Sequence, residues 1–262
     1  MTIANLGQQP YVSIVVPAYN EERRVPASLA RILCYLDEQP YEGEVIVVDD
    51  GSEDRTVEMV RGLLSRYPNL HLIENDHRGK GYAVRTGMLA ARGQVALFCD
   101  ADLAVPIEET ERILARLEEG YDVVIGSREG VGARRYGEPR YRHLMGRVFN
   151  LLVRIVAVGH FHDTQCGFKC FRGEVARDIF SRVQLYGDQA RAIRGASLTA
   201  FDVEVLFLAL KGGYRVSELP VEWHYGLHSK VNPLTDTIRM LIDVLTVRIN
   251  DWRGVYLARP RS

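Results

Sequence analysis

The sequence predicts an α/β protein with a mostly parallel central sheet flanked by helices. Short apolar runs rich in β-branched residues alternate along the chain with stretches whose apolar residues recur at helical spacing. Several of those runs end in acids or turn residues, which is where an open α/β sheet gathers its ligands. A length of 262 residues suffices for a substantial core.

Val12-Ser-Ile-Val-Val-Pro17 reads as the first strand, stopped by proline and followed by Tyr19, Asn20 and Glu21. Val25 to Leu36 has helical periodicity, with Pro26 tolerated in the first turn. Glu44 to Val48 is a second strand running into Asp49-Asp50-Gly51-Ser52, and Thr56 to Tyr67 a second helix. Leu70 to Glu74 is a third strand, Asp76-His-Arg-Gly-Lys-Gly81 a loop, and Tyr82 to Ala91 a third helix. Val95-Ala-Leu-Phe-Cys99 is a run of five apolar residues, the mark of a buried parallel strand, with Asp100 and Asp102 at its end. Pro106 to Leu117 is helical and Asp122 to Gly126 a fifth strand leading to Ser127-Arg128. Beyond it, Leu144 to Val158 is a largely apolar helix with Arg147 and Arg154 on one face, and residues 181–199 read as a loop. Phe201 to Lys211 is helical, Tyr214 to Trp223 a strand, His224 to Lys230 a polar loop, and Pro233 to Trp252 a last amphipathic helix before a basic tail.

The Asp100-Ala-Asp102 segment carries the chemistry. Two carboxylates one residue apart beside a buried strand repel unless a cation or a set of donors neutralises them. A hard divalent cation, Mg²⁺ or Mn²⁺, answers that need and stays open to phosphate oxygens. The competing reading is a capping turn for the helix that follows Pro106. Arg78-Gly-Lys-Gly81 resembles a phosphate cradle without full P-loop spacing, and a plain polar turn is the simpler reading. Asp49 and Asp50 are open to the same simpler reading. Several strand ends converging on one crevice nevertheless point to a nucleotide site more strongly than any single motif.

Composition excludes other classes. Lys plus Arg at 33 against Asp plus Glu at 34 gives a net charge of -1, which argues against a general nucleic-acid binder. From Arg128 to Arg154, however, seven arginines meet only Glu129 and Glu138, a local basic patch suited to lipid phosphate or to solvent. Within His160 to Cys170, two histidines and two cysteines invite zinc, but the spacing is poor, and the cysteines read as small apolar residues. All four cysteines lie outside any disulfide-like framework, which fits a reducing cytoplasm. With no leader pattern and no membrane-spanning apolar run, the expected location is cytoplasmic, peripheral at the inner face of the membrane.

Taken together, Val15-Val-Pro-Ala-Tyr-Asn-Glu21, Val48-Asp-Asp-Gly-Ser52, Arg78-Gly-Lys-Gly81, Asp100-Ala-Asp102 and Gly126-Ser-Arg128 resemble the family 2 glycosyltransferases of GT-A, Rossmann-like fold. The resemblance spans roughly residues 11–231 and makes residues 1–231 a catalytic domain, with 232–262 a helix and tail for a membrane or dimer contact. Asp163-Thr-Gln-Cys-Gly-Phe-Lys169, Phe201-Asp-Val-Glu204 and His228-Ser-Lys230 are most similar to the dolichyl-phosphate β-glucosyltransferase branch, with polyprenyl-phosphate mannose synthases as close relatives. The resemblance implies inverting, metal-dependent transfer of glucose from UDP-glucose to a polyprenyl or dolichyl phosphate. Pro17, Tyr19, Glu21, Asp49 and Asp50 would then hold the nucleoside, with Lys80 and Ala101 in the same nucleotide-sugar site. Asp100 and Asp102 would hold the metal and sugar; Arg128 and Arg142 would grip the acceptor phosphate, assisted by Lys230. Asp202 matches the base of relatives with hydroxyl acceptors and is expected only to position groups here. Many mannose synthases carry a metal-holding glutamine where this chain has Ala104, which weakens a GDP-mannose assignment. The rivals are another donor, a soluble or polysaccharide hydroxyl acceptor, and a nucleotide-sugar-binding module without catalysis.

Overall fold

The computed structural model describes residues 9–137, 153, 159, 161–187, 190, 200–225 and 233–256, with the backbone alone for 233–238. Strands β1 (Val12–Ala18), β2 (Gly43–Asp49), β3 (Leu70–Glu74), β4 (Val95–Cys99) and β5 (Val123–Ser127) alternate with helices α1 (Val25–Asp37), α2 (Thr56–Leu64), α3 (Lys80–Ala90) and α4 (Glu109–Glu118). A short β6 (Arg134–Tyr136) follows, then β7 (Phe168–Arg172), α5 (Gly173–Arg182), α6 (Phe201–Lys211), β8 (Val216–Pro220), β9 (Glu222–His224) and α7 (Pro233–Trp252).

The main sheet runs β3-β2-β1-β4-β7-β5-β8. Every neighbouring pair in it is parallel except those made by β7, which lies antiparallel between β4 and β5. Strand β7 departs from the sequence expectation, which draws on the histidines and cysteines from His160 to Cys170 and predicts no strand there. Its Phe168, Cys170 and Phe171 are buried, and its Lys169 is fully buried as well. The free thiols of Cys166 and Cys170 sit in the core, where burial pushes both up to about 12. The expected strand from Tyr214 to Trp223 is divided at Val221, since β8 extends the main sheet while β9 pairs with β6 in a separate two-stranded sheet. The helix expected over 144–158 and most of the loop expected over 181–199 lie outside the described residues.

Alternation along the strands separates two apolar layers. Ile14, Val16, Val45, Val47, Leu97 and Cys99 face α1, α2 and α4 through Leu29, Ile32, Val60 and Ile113. Val15, Ile46, Val48, Ala96 and Phe98 face α3, α5 and α6 through Val84, Ile179 and Leu206. Met240, Val244 and Val247 of α7 join that second layer. The helix also exposes Ile242, Leu245, Ile249 and Trp252, so its residues do not divide simply into one apolar and one polar face. Gly87 is dictated by packing, because a Cβ there would come within 2.3 Å of Val15 Cγ1.

Candidate active site

The carboxyl ends of β1, β2 and β4 open onto one crevice, and hydrogen bonds stitch its walls. Beyond β1, Asn20 N donates to Ser52 Oγ at 2.9 Å, and Asn20 Oδ1 accepts from Glu53 N at 2.8 Å. Glu21 N donates to Thr56 Oγ1 at 2.8 Å, while the Glu21 carboxylate accepts from Arg24 at 2.5 and 2.7 Å. Asn20 has φ +53, a left-handed conformation that asparagine tolerates well. The loops after β1 and β2 therefore form one wall. Pro17 lies buried within β1 itself.

Asp49 and Asp50, adjacent in sequence, have different roles. Asp49 Oδ2 accepts from Gly51 N and Ser52 N at 3.0 and 2.9 Å, closing the turn after β2. Its Oδ1 is buried with no hydrogen-bond partner. A buried acceptor left unmatched costs free energy until something donates to it. Asp50 is saturated: Oδ1 accepts from Arg78 N at 2.9 Å, and Oδ2 from Gly79 N at 2.8 Å and His77 Nδ1 at 2.7 Å. Burial still pushes its carboxyl above the ordinary range against those donors. The Arg78 and Gly79 N–H groups that a phosphate cradle would have used are thus turned to Asp50. His77, held this way, stacks on Tyr19 with centroids 3.9 Å apart and planes 3° from parallel.

At the end of β4, Lys80 from the first turn of α3 donates its ammonium to Asp100 Oδ1. Burial opposes that charge, but Asp100, Asp202 and Asp102 outweigh it and hold the ammonium above its usual value. Leu103, at φ +48, makes the turn tight enough for Asp102 Oδ1 to accept from Ala104 N at 3.1 Å. Asp102 Oδ2 lies 3.6 Å from Arg24 Nη1. Burial and the neighbouring Asp100 raise the Asp102 carboxyl despite these partners. Ala101 points to the core, and its carbonyl accepts from Ser28 Oγ at 2.6 Å. Two acids are thus held together by two borrowed cations. Among the described residues no third metal-ligating side chain joins them. That donor set of two hard carboxylates suits a divalent ion whose other ligands are water and phosphate oxygens.

Gly167 and Lys169, with Asp202, pack beside Asp100, while Asp163 holds Arg128. Gly167 leaves room for it, since a Cβ there would fall 2.1 Å from Asp100 Oδ2. Lys169 donates to Asp202 Oδ1 and to the Cys166 carbonyl, each at 2.5 Å. Asp202, in the first turn of α6, is buried, and burial raises its carboxyl against Lys169 and Lys80. Asp163 grips Arg128: Nε and Nη2 donate to its two oxygens at 2.7 and 2.8 Å, and Arg128 N adds a third bond at 2.9 Å. Burial by itself would raise Asp163, but Arg128 reverses it and holds the carboxyl well below the usual carboxylate range.

The basic patch is less bare than the local sequence implied. Arg128 pairs with Asp163, Arg134 with Glu222 and Arg135 with Glu129. Two of those acids come from distant parts of the chain. Arg142 and Lys230 lie outside the described residues. The structure brings Tyr19, Glu21, Asp49, Asp50, Lys80, Asp100, Asp102 and Asp202 around one crevice. Asn20, Arg24, His77, Asp163, Gly167 and Lys169 complete it, and their roles depend on contacts with residues far away in sequence.

The family model for glycosyl transferase family 2 matches residues 13–180 of this chain. The chain belongs to glycosyl transferase family 2. Among members of that family, the dolichyl-phosphate beta-glucosyltransferase of Dictyostelium discoideum is 33% identical over 260 residues, covering 94% of this chain and 76% of that protein. The Homo sapiens protein of the same name is 32% identical over 282 residues, covering 97% and 81%. Solved structures agree on the GT-A fold. Glucosyl-3-phosphoglycerate synthase from Mycobacterium tuberculosis, with Mn²⁺, UDP and glucosyl-3-phosphoglycerate, superposes with TM-score 0.58 at 18% identity over 92% of this chain and 79% of that one. Mannosyltransferase PcManGT from Pyrobaculum calidifontis, with GDP-Man and Mn²⁺, gives 0.57 at 22% identity over 93% of this chain and 65% of that one. This family 2 chain is a glycosyltransferase with the expected mostly parallel sheet.

Proposed function

We propose that this glycosyltransferase moves glucose from UDP-glucose to a polyprenyl or dolichyl phosphate, with inversion at the anomeric carbon and with Mg²⁺ or Mn²⁺. The observation that carries the reading is the pairing of Asp100 and Asp102 with borrowed cations at the end of β4, two strands from the unmatched Asp49 Oδ1 at the end of β2. Asp49 Oδ1 accepts from a base N–H or a ribose hydroxyl, and Pro17, Tyr19 and Glu21 line the nucleoside side; Asp50 acts one step back, by holding the 77–79 loop.

A bound divalent ion on Asp100 and Asp102 supplies Lewis-acid neutralisation of the leaving diphosphate. The rest is the work of the chain. Lys80 and Arg24 hold both carboxylates ready and stay beside the diphosphate as counter-charges. An acceptor phosphate oxygen forms the new bond to the anomeric carbon, and the old carbon–oxygen bond breaks with its electron pair on the nucleoside diphosphate. A phosphate monoester has its second pKa near about 6, so the nucleophile is already anionic and no general base is needed. Asp202, tied to Lys169, therefore fixes the floor beneath Asp100 rather than taking a proton. Arg128, Arg142 and Lys230 are the acceptor-phosphate cations of this reading. Residues 1–231 do the catalysis, and the enzyme works peripherally at the inner face of a membrane, where its acceptor resides.

The test is nucleoside diphosphate release from a panel of UDP- and GDP-sugars with Mn²⁺ or Mg²⁺, with and without a polyprenyl phosphate. Release from UDP-glucose that needs the lipid phosphate is the expected result. Release without it, or from GDP-mannose instead, replaces the acceptor or the donor in the reading.

A further inference from the structure

Helix α7 uses its inner face fully. Met240, Val244 and Val247 enter the core, and Asp243 Oδ2 accepts from Tyr186 Oη at 2.8 Å and Ala200 N at 3.0 Å. Asp251 receives Lys211 and lies 3.8 Å from Arg248. The outer face is a different surface. Ile242, Leu245, Ile249 and Trp252 are 58%, 54%, 41% and 80% exposed, and their spacing of three, four and three residues sets them in one continuous stripe. Val255, 45% exposed, extends it past the helix end. From 239 to 256 the only acids are Asp243 and Asp251, both engaged internally, and the only cations are Arg239, Arg248 and Arg253. On a helical wheel Arg239 and Arg253 flank the stripe on one side, whereas Arg248 lies over the Phe207 ring, 5.7 Å from its centroid.

We propose that this stripe docks on an anionic bilayer surface, with Trp252 at the headgroup level and Arg239 and Arg253 on lipid phosphates. The proposal rests on the lipid-phosphate reading of the acceptor and adds the face that meets the lipid. Charge decides against a second copy as the occupant, because a two-fold contact would set the arginine border of one stripe close to that of the other. Size agrees, since five side chains expose on the order of 500 Å², short of the roughly 800 Å² per partner of a stable interface. The location is also productive. Asp243 holds Tyr186, whose ring lies against Gly81 beside Phe201, and these neighbours flank Lys80 and Asp202. Docked through α7, the enzyme would bring that edge of its crevice to the bilayer.

The experiment is co-sedimentation of the full chain with vesicles of phosphatidylcholine alone, or of equal parts phosphatidylcholine and phosphatidylglycerol. Wild type should pellet with the mixed vesicles, with a blue shift of Trp252 emission. Ile242→Ser/Leu245→Ser/Ile249→Ser should weaken partitioning at least about a hundredfold, and Arg239→Gln/Arg253→Gln roughly tenfold on the anionic vesicles only. The triple variant replaces exposed residues, so its thermal melt should match wild type. Wild type that stays in solution without an emission shift, or a triple variant that pellets like wild type, overturns the proposal. So does a wild-type dimer that the triple substitution converts to monomer. Sugar transfer to a short, water-soluble prenyl phosphate without vesicles is read in parallel. Its loss in wild type strikes the acceptor reading, whereas its retention beside failed pelleting strikes only the docking surface.

Discussion

Asp163 and Asp202 are both buried carboxylates paired with a cation, yet their surroundings move them in opposite directions. Asp163, at the rim, takes two side-chain donors and one backbone donor from Arg128, plus Gln165 N at 3.1 Å. That set outweighs burial, and the carboxyl is held low. Asp202, in the floor, has Lys169 as its donor, shares its space with Asp100, and is pushed up by burial. Asp102 is raised too, by burial and by the neighbouring Asp100. Arg128 and its neighbours outweigh burial at Asp163, whereas burial outweighs the donors at Asp202 and Asp102.

The largest effect should come from breaking the crevice side, where the proposed function puts the donor diphosphate. Asp102→Ala is expected to lower sugar transfer by more than about a thousandfold, since transition-state charge neutralisation is a dominant catalytic contribution. The urea midpoint should hold or rise, because a strained carboxylate is removed; retained turnover in metal-replete buffer contradicts the assignment. Lys169→Met strands Asp202 as an uncompensated buried charge and should cost about 3–5 kcal/mol in urea unfolding. Adding Asp202→Leu should recover much of that loss, and failure to recover would mean Lys169 serves Cys166 and the β7 backbone more than Asp202. Gly167→Ala sharpens the comparison without touching a charge: the new Cβ displaces Asp100, so transfer should fall about ten- to a hundredfold. The metal concentration at half-maximal rate should rise with it, and an unchanged metal dependence would show that Asp100 does not need that gap.

The smallest effects are on pH dependence, and they differ in sign. Burial raises Glu204 to about 7, with Tyr256, Gln184 N and Leu185 N donating to it. Between the unfolded value of about 4.3 and about 7 the folded state binds more protons, so this group makes stability fall as pH rises. Glu204→Gln should flatten that slope and stabilise the protein by about 1–2 kcal/mol at pH 8. Asp163 does the reverse, since its folded-state carboxyl is depressed: its contribution is complete above the unfolded value near 3.9 and is lost as pH falls. Asp163→Asn should remove the acid-side dependence while lowering stability at pH 7. Urea titrations across pH check both, and slopes of the same sign in the two variants would erase the distinction.

The first half of the fold was legible because β2, β4 and β5 carry unbroken apolar runs and β1 is broken only by Ser13, and buried parallel strands advertise themselves that way. Strand β7 was hidden by Lys169 as its second residue and by nearby histidines and cysteines that suggest metal chemistry. Lysine is seldom fully buried, so no local pattern could place it inside a sheet. It is buried because Asp202, 33 residues later in the chain, waits beneath β4 to receive it. Two arginines of the basic patch meet acids that lie far along the chain, Arg128 with Asp163 and Arg134 with Glu222, so a local window shows their charges without their partners. The duties of Asp49 and Asp50, neighbours with identical side chains, could not be separated before the 77–79 loop was seen to saturate one and leave an oxygen of the other unmatched.

By itself, then, the sequence determined the alternation of strands and helices, the crevice at the strand ends, the paired acids Asp100 and Asp102, and the family. Those are properties of short windows, where periodicity and residue type act within a few positions. Tertiary structure alone decided which cation neutralises which carboxylate, where Lys169 lies, and which face of α7 is left exposed. Charge compensation and burial are set by neighbours in space, and the sheet brings together residues that sequence keeps tens of positions apart.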